Sequence, residues 1–436
     1  MILRKILLLV LIPGFVFAQR SGQTKYNFND FSLIVNVEDQ EARYNEMVKE
    51  SPIDPEKPST YQEYRAQLAV GFIAKGNFEK YWQYKNTQPA FNALQFVYLT
   101  YALEKLLNEG KNDNELVKVT NNLVDEFQKG TLKDPMGRMH TIFEVDAVAN
   151  ARTGKVGAAV DFFEKEIAKG KLETREMAYF PDAKSNYLHR LAEVMFRAGK
   201  AQVAFDTLTT AFRTAESNPY MVATFKEVYK KVKGSEKGFD KYLNGLKAEA
   251  YQKYYKEVEK LYIADAQQTL EGTFSGPGTG NKPMTLFRAS RPVKDITLLD
   301  LSGKNVNLGQ HQGKVLVIDF WTTLCTPCVA AFAGFEKVVA DYKKEEFQLY
   351  VIDLFEDEKT VQSFAAKKQI PLEILRDEEN AAYNVQGTPT KIVFDPMGNI
   401  RFYGAGYAGS TDREYYKLKA MVEIIRSRNS SISKKG

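Results

Sequence analysis

Residues 319–328 of this chain read DFWTTLCTPC. They follow the apolar run VLVI at 315–318, which predicts a buried strand, and they lead into a helical pattern over 327–343. Cys325 is therefore expected at a helix N-terminus, where unpaired N–H groups and the helix dipole stabilise a thiolate. Cys328 comes one turn later on the same helix face. This spacing predicts a dithiol in which Cys325 attacks a disulfide and Cys328 resolves the mixed disulfide.

These two cysteines are the only ones in the chain, and other uses of the pair are weaker. Zinc needs about four ligands, and the three histidines, His140, His189 and His311, are distant in sequence. A c-type haem site would need histidine at position 329, which is Val329. So small a loop removes little chain entropy, but a purely structural disulfide stays open as an alternative. No cofactor and no metal ion are expected.

The N-terminus has the pattern of a secretory signal over residues 1–18. Arg4 and Lys5 precede a short apolar stretch at 6–12, and Ala18 offers a small residue for cleavage. The alternative is an N-terminal membrane anchor, although the stretch is shorter than the ~20 residues that a spanning helix needs. We therefore expect an exported protein in the periplasm or cell envelope of a bacterium, with no stable membrane insertion after signal cleavage.

Length and composition predict a folded protein of two or three domains. The chain has 436 residues, of which 44% are hydrophobic and 26% charged. Its net charge is only +5 and no dense basic run is present, so nucleic acid is not an expected partner.

The hydrophobic period divides the chain into regions. Helical spacing predominates over 59–270, with short breaks at Gly76, Gly154 and Gly199. Small residues at Ala192, Ala204 and Ala211 resemble the spacing of tetratricopeptide repeats, and a non-repeating helical bundle is the alternative.

After the helical region, strand and helix patterns alternate, which predicts an α/β layer fold. The predicted organisation is an all-helical domain (tetratricopeptide-like or a bundle) followed by a C-terminal α/β domain. Its boundaries are a signal peptide at 1–18, an irregular lead-in at 19–58, the helical domain at 59–270, a Gly- and Pro-rich linker at 271–291, the α/β domain at 292–428 and a polar tail at 429–436. The linker predicts that the two halves fold independently.

The motif at 319–328, with the sequence GTPT at 387–390, resembles the thioredoxin superfamily. The SGK sequence at 302–304 and the DPMGN turn at 395–399 are similar to its TlpA/ResA branch of exported thiol-disulfide oxidoreductases. The resemblance covers about a third of the chain.

The resemblance implies roles for individual residues in a thioredoxin-like fold. Pro389 would be a cis proline beside the cysteines, and Thr388 would pair with a substrate strand. Asp319 would be the buried acid that relays a proton behind Cys328, with an ordinary strand-end aspartate as the alternative. The remaining residues expected to contact substrate are Trp321, Thr326 and Pro327.

Three positions depart from this branch. Leu324 stands where tryptophan is usual before the first cysteine, Val329 where a basic residue is usual after the second, and Ala333 where a proline usually kinks the helix. These changes make the surface around the cysteines more apolar, and they leave redox potential and partner choice open.

The sequence therefore predicts an exported thiol-disulfide oxidoreductase that reduces protein disulfides through the Cys325–Cys328 dithiol. Its partners would be protein disulfide or thiol substrates and an upstream electron-donating thiol protein. Two alternatives remain: a helical partner-binding protein whose thioredoxin-like domain serves mainly for docking, and an oxidase that donates disulfides.

Overall fold

The predicted fold class is confirmed: a helical N-terminal region precedes a thioredoxin-like α/β region. The computed structural model describes residues 27–53, 60–87, 89–168, 180–275 and 282–433. The predicted signal peptide lies outside the described residues.

The helices of the N-terminal region pack against one another around one large apolar core. Gly76, Gly154 and Gly199 adopt positive φ angles of 75°, 101° and 78° at the predicted breaks, a conformation that suits glycine at a helix C-terminus. The tetratricopeptide-like assignment stays a prediction. The helices are α1 (Phe28–Leu33), α2 (Val37–Glu50), α3 (Gln62–Ala74), α4 (Phe78–Lys85), α5 (Ala93–Asn108), α6 (Asp113–Gln128), α7 (Met139–Arg152), α8 (Val156–Ala168), α9 (Ala183–Arg197), α10 (Ala201–Arg213), α11 (Met221–Lys233) and α12 (Phe239–Glu259).

The prediction of an irregular lead-in is wrong for the described part of 19–58, which contains α1 and α2. Asn27 caps α1 by accepting a hydrogen bond from the N–H of Asp30 at 2.8 Å. Phe31 and Met47 are buried in the helical core. Packing against α3 explains the ordered structure, because short amphipathic helices are stabilised mainly by tertiary contacts.

The C-terminal region is built on a seven-stranded mixed sheet with the order β4-β3-β7-β6-β5-β8-β9. β5 pairs in parallel with β6 and antiparallel with β8. Every residue of β5 and β6 is buried, as expected for central strands covered on both faces. The strands are β1 (Leu270–Phe274), β2 (Met284–Ala289), β3 (Thr297–Asp300), β4 (Asn305–Asn307), β5 (Val315–Trp321), β6 (Phe347–Leu354), β7 (Ile374–Asp377), β8 (Thr390–Phe394) and β9 (Ile400–Ala405).

Three helices, α13 (Thr326–Asp341), α14 (Glu358–Lys368) and α15 (Thr411–Ser433), contribute apolar side chains to the core on one face of this sheet. The core on the opposite face includes side chains from β2 and from the segment before β8. α15 extends to Ser433, so the described part of the predicted polar tail at 429–436 is helical.

The predicted linker at 271–291 is also wrong where the structure describes it, because it contains the paired strands β1 and β2. Phe287 is fully buried beneath this hairpin. Leu286 accepts a backbone hydrogen bond from Gln386 at 2.8 Å, and Arg288 donates one to Tyr383 at 2.7 Å. A linker is expected because of several Gly and Pro residues. Most of these residues are at 276–280, outside the described residues. The flanking apolar residues instead complete the sheet core.

The helical and α/β regions share a buried junction. Val258 of α12 belongs to the core of the α/β region. Thr411, at the start of α15, donates from its N–H and its hydroxyl to Asp182, both at 2.6 Å. Ser217 donates to Asp412 at 2.6 Å within the same junction. These contacts argue against two halves that fold independently.

Candidate active site

The two cysteines lie where β5 gives way to α13. Cys325 occupies the N-cap position of α13, and Pro327 lies in the first turn, where its missing N–H has no helical partner. The carbonyl of Cys325 accepts backbone hydrogen bonds from Cys328 at 3.0 Å and from Val329 at 3.2 Å. The sequence motif thus places Cys325 at a helix N-terminus, where a negative charge is stabilised.

Cys325 and Cys328 form a disulfide with their Cα atoms 5.3 Å apart. Their exposure differs: Cys325 is partly exposed, whereas Cys328 is fully buried. The Cys328 sulfur lies 4.0 Å from the carbonyl oxygen of Phe320 on β5. An approaching thiol or disulfide can therefore contact Cys325, whereas Cys328 is shielded.

The Thr388–Pro389 peptide bond is cis, as the resemblance implies. Thr390 follows directly as the first residue of β8 and pairs with Phe320 of β5, which brings the proline to the end of β5 that leads to the cysteines. The carbonyl of Pro389 accepts a hydrogen bond from Gly406 at 2.9 Å. Pro389 is buried, whereas Thr388 is partly exposed and Gly387 is exposed, so the turn is accessible on the side that precedes the proline.

Asp319 is buried on the α13 side of the sheet. Side chains alternate along a strand, and the neighbours of Asp319 at positions 317 and 321 belong to the same core as Cys328. The Asp319 side chain is 1% exposed, and its Oδ2 has no hydrogen-bond partner among the described residues. Burial raises the pKa of Asp319 to about 8, with Lys391 opposing this rise and Glu414 adding to it. A carboxyl that titrates near neutral pH suits proton transfer.

The predicted substrate contacts fall into two groups. Thr326 and Pro327 are partly exposed beside Cys325 and remain reachable. Trp321 is fully buried, with its ring 5.2 Å from that of Phe332 and 5.7 Å from that of Phe364. This burial favours a packing role for Trp321 rather than contact with a substrate.

Sequence reasoning missed the loop after β6, which lies beside the cysteine turn. Glu356 accepts two hydrogen bonds from Thr323, two residues before Cys325. Asp353 is fully buried, and burial together with the nearby Glu356 raises its pKa to about 10. β5 and β6 are parallel neighbours, so their carboxyl ends meet at one edge. That arrangement could have identified these acids.

Two large apolar side chains are exposed near the disulfide. Leu324 is 70% exposed and Phe355 is 63% exposed. The Thr323–Glu356 hydrogen bonds tie together the two loops that carry them. The surface near Cys325 thus includes two exposed apolar side chains, of which Leu324 is one of the predicted departures; Val329 is only partly exposed.

Comparison with known proteins identifies the C-terminal region. A profile of the AhpC/TSA family matches residues 289–403. The thiol-disulfide oxidoreductase ResA of Halalkalibacterium halodurans is 30% identical over 138 residues, which cover 31% of this chain and 78% of that protein. The thioredoxin-like protein YneN of Bacillus subtilis is 32% identical over 127 residues, covering 28% of this chain and 75% of that protein.

A solved structure of a thioredoxin-family thiol:disulfide interchange protein from Chlorobium tepidum TLS aligns with 37% of this chain and 99% of that chain, at 20% identity and a TM-score of 0.27. The two sequence relatives are each at least 30% identical to this chain, and the matched region covers more than two thirds of their length. Through its C-terminal region, the chain belongs to the thioredoxin-like thiol-disulfide oxidoreductases of the ResA type.

Proposed function

We propose that this protein is an exported reductase of protein disulfides that works through Cys325 and Cys328. The observation that carries the proposal is the unequal exposure of the two cysteines, since Cys325 is partly exposed at a helix N-terminus and Cys328 is fully buried one turn later. This arrangement suits one attacking and one resolving thiol.

The reduced protein would act in two exchanges. The Cys325 thiolate attacks one sulfur of a substrate disulfide, so that the substrate S–S bond breaks and one substrate thiolate leaves. Cys328 then loses its proton to the Asp319 carboxylate and attacks the Cys325 sulfur. The Cys325–Cys328 disulfide forms, and the second substrate thiolate leaves. An upstream thiol protein would return two electrons to the pair.

Substrate binding would use the surface around the disulfide. Thr388 is partly exposed and precedes the cis proline, and its backbone would pair with an extended substrate segment. Thr326 and Pro327 would contact the same segment. Exposed apolar side chains at Leu324 and Phe355 favour substrates with apolar residues around the disulfide.

Export rests on the signal-like pattern at residues 1–18, which lie outside the described residues. Within the described ranges, none of the helices combines the length and the apolar character that crossing a bilayer requires. The names of the sequence relatives support a thiol-disulfide oxidoreductase. The helical region, with its tetratricopeptide-like spacing at Ala192, Ala204 and Ala211, would select or position partners.

Equilibration of the Cys325–Cys328 pair with glutathione buffers tests the direction of electron flow. A reductase should have a potential of about −250 mV or lower, near that of thioredoxin, whereas a disulfide-donating oxidase lies near about −120 mV. Turnover in insulin reduction, compared with the Cys325→Ser variant, tests the activity itself. Absence of any Cys325-dependent turnover would instead favour a docking role for this domain.

A further inference from the structure

We infer that Lys391 and Glu414 together set how readily Asp319 binds a proton, which makes them positioning residues for thiol exchange. The inference deepens the proposed function and rests on it, because Asp319 is the group that would accept the Cys328 proton. Neither residue belongs to the cysteine motif or to the cis-proline turn.

Lys391 lies directly opposite Asp319 in the antiparallel register of β5 and β8. Both side chains are on the sheet face that α13 and α15 cover, since Val317 and Val393, two positions away on each strand, belong to the core on that face. The cation is therefore within the same buried space as the carboxyl.

Glu414 of α15 competes for this cation. Lys391 Nζ forms an ion pair with Glu414, and the two side chains are only 12% and 4% exposed. The Lys391 ammonium also lies 4.3 Å from the centre of the Phe335 ring. Asp319 has no hydrogen bond from Lys391, so Glu414 holds the ammonium while the Asp319 Oδ2 stays without a partner among the described residues.

The position of Glu414 is fixed from several sides. Its carboxylate accepts a hydrogen bond from the N–H of Ala408 at 3.0 Å. Gly334 on α13 allows the close approach of the two helices, because a Cβ at that position would lie 2.7 Å from the Glu414 Cβ. The first turn of α15 is also held by the hydrogen bonds from Thr411 to Asp182 of the helical region. Glu414 cannot easily leave Lys391.

Few other charges face Asp319. On β6, the residue opposite Asp319 is Val351, and α13 presents Phe335 to this space. α15 contributes Glu414, and Lys417, one turn later, lies close enough to interact with both members of the ion pair. Cys328 is in the disulfide. Burial already disfavours the ionised form of the Asp319 carboxyl. The charge of Lys391 opposes this effect and the charge of Glu414 adds to it.

Removing the anion and removing the cation of this ion pair should shift the pKa of Asp319 in opposite directions. Glu414→Gln removes the competing anion and leaves Lys391 to favour the ionised carboxyl. Lys391→Met removes the cation and favours the protonated carboxyl. A merely structural role for the pair would give no such opposed shifts.

The test is a pH titration of the Asp319 carboxyl by carbon NMR, using the full-length protein labelled on aspartate and with its disulfide intact. The Asp319→Asn variant identifies the signal. We expect Glu414→Gln to lower the midpoint by about one pH unit and Lys391→Met to raise it by a similar amount. Glu423→Gln is the matched control, because Glu423 is on the same helix but accepts a hydrogen bond from Tyr342 at 2.6 Å; it should leave the midpoint unchanged.

Midpoints that stay within about 0.3 pH unit of the wild type, or that move opposite to these signs, overturn the inference. If Glu414→Gln does not fold, the sign of the Lys391→Met shift decides alone. Because the cysteines do not titrate in the oxidised protein, this result is independent of whether the protein reduces disulfides.

Discussion

Thr323 donates two hydrogen bonds to the carboxylate of Glu356, from its backbone N–H at 2.6 Å and from Oγ1 at 2.5 Å. The contact joins the loop after β6 to the turn that carries Cys325. Both donors face a single carboxylate, so one side chain fixes the path of the chain just before the attacking cysteine. Hydrogen bonds to charged groups are among the stronger ones in proteins.

Glu356→Ala should therefore loosen the cysteine turn. We expect the free energy of unfolding to fall by about 1–3 kcal/mol, because two donors lose their acceptor. Insulin reduction should slow several-fold, since Cys325 is less well positioned. Urea unfolding and initial rates measure the two effects. The exposed Glu345 provides the control, and equal behaviour of Glu356→Ala and Glu345→Ala would show that the contact has no such role.

The buried carboxyl of Asp319 should make stability depend on pH. Its pKa is raised to about 8 in the folded protein, whereas an unfolded aspartate titrates near about 3.9. Between these values only the folded state holds the proton, so this group's contribution to stability is complete below about pH 4 and is lost as pH rises towards 8. Asp319→Asn removes this dependence. We expect the stability of the variant relative to the wild type to increase by up to about 1.4 kcal/mol per pH unit across that window.

Urea unfolding at several pH values between 4 and 9 measures this difference. A stability difference that is independent of pH would show that Asp319 does not hold a proton in the folded protein. The same variant should resolve mixed disulfides more slowly at neutral pH, because Cys328 would lack its proton acceptor. The rate of the wild type should rise with pH towards 8, and that of Asp319→Asn should lose this rise.

The β1–β2 hairpin should be an integral part of the α/β region. A Cβ at Gly272 would lie 2.1 Å from the Phe287 ring, which is fully buried. Gly272→Ala must displace that ring, so we expect a loss of about 1–3 kcal/mol in the free energy of unfolding. The neighbouring Thr273→Ala, at an exposed position, is the control. Equal stability of the two variants would mean that the hairpin is only loosely attached.

The α/β region should not fold well alone. A fragment of residues 285–436 lacks β1 and α12, and α12 contributes Val258 to the α/β core and Tyr254 to a cluster with Tyr416. We expect this fragment to be poorly soluble and to recover activity when residues 19–284 are supplied with it. A soluble fragment with full activity towards a small disulfide would restore the expectation of independent halves.

The sequence predicted the chemical centre better than its surroundings. The placement of Cys325 at a helix start and the burial of Asp319 follow from local pattern and from the resemblance. The linker interpretation failed because the Gly and Pro residues at 276–280 dominate the composition of this segment. The short strands β1 and β2 on either side were therefore not predicted. The Thr323–Glu356 and Lys391–Glu414 contacts join residues that are distant in the chain, and only the strand order and helix packing bring them together.

The accessible sulfur of Cys325 is the basis of the proposed chemistry, and trapping the mixed disulfide tests it most directly. Reduced Cys328→Ser and Cys325→Ser variants are each incubated with a disulfide-bonded protein substrate and analysed by non-reducing mass spectrometry. Cys328→Ser should accumulate a covalent adduct through Cys325, because the resolving thiol is absent, and Cys325→Ser should form almost none. An adduct formed mainly by Cys325→Ser, or by neither variant, would contradict the assignment of Cys325 as the attacking thiol.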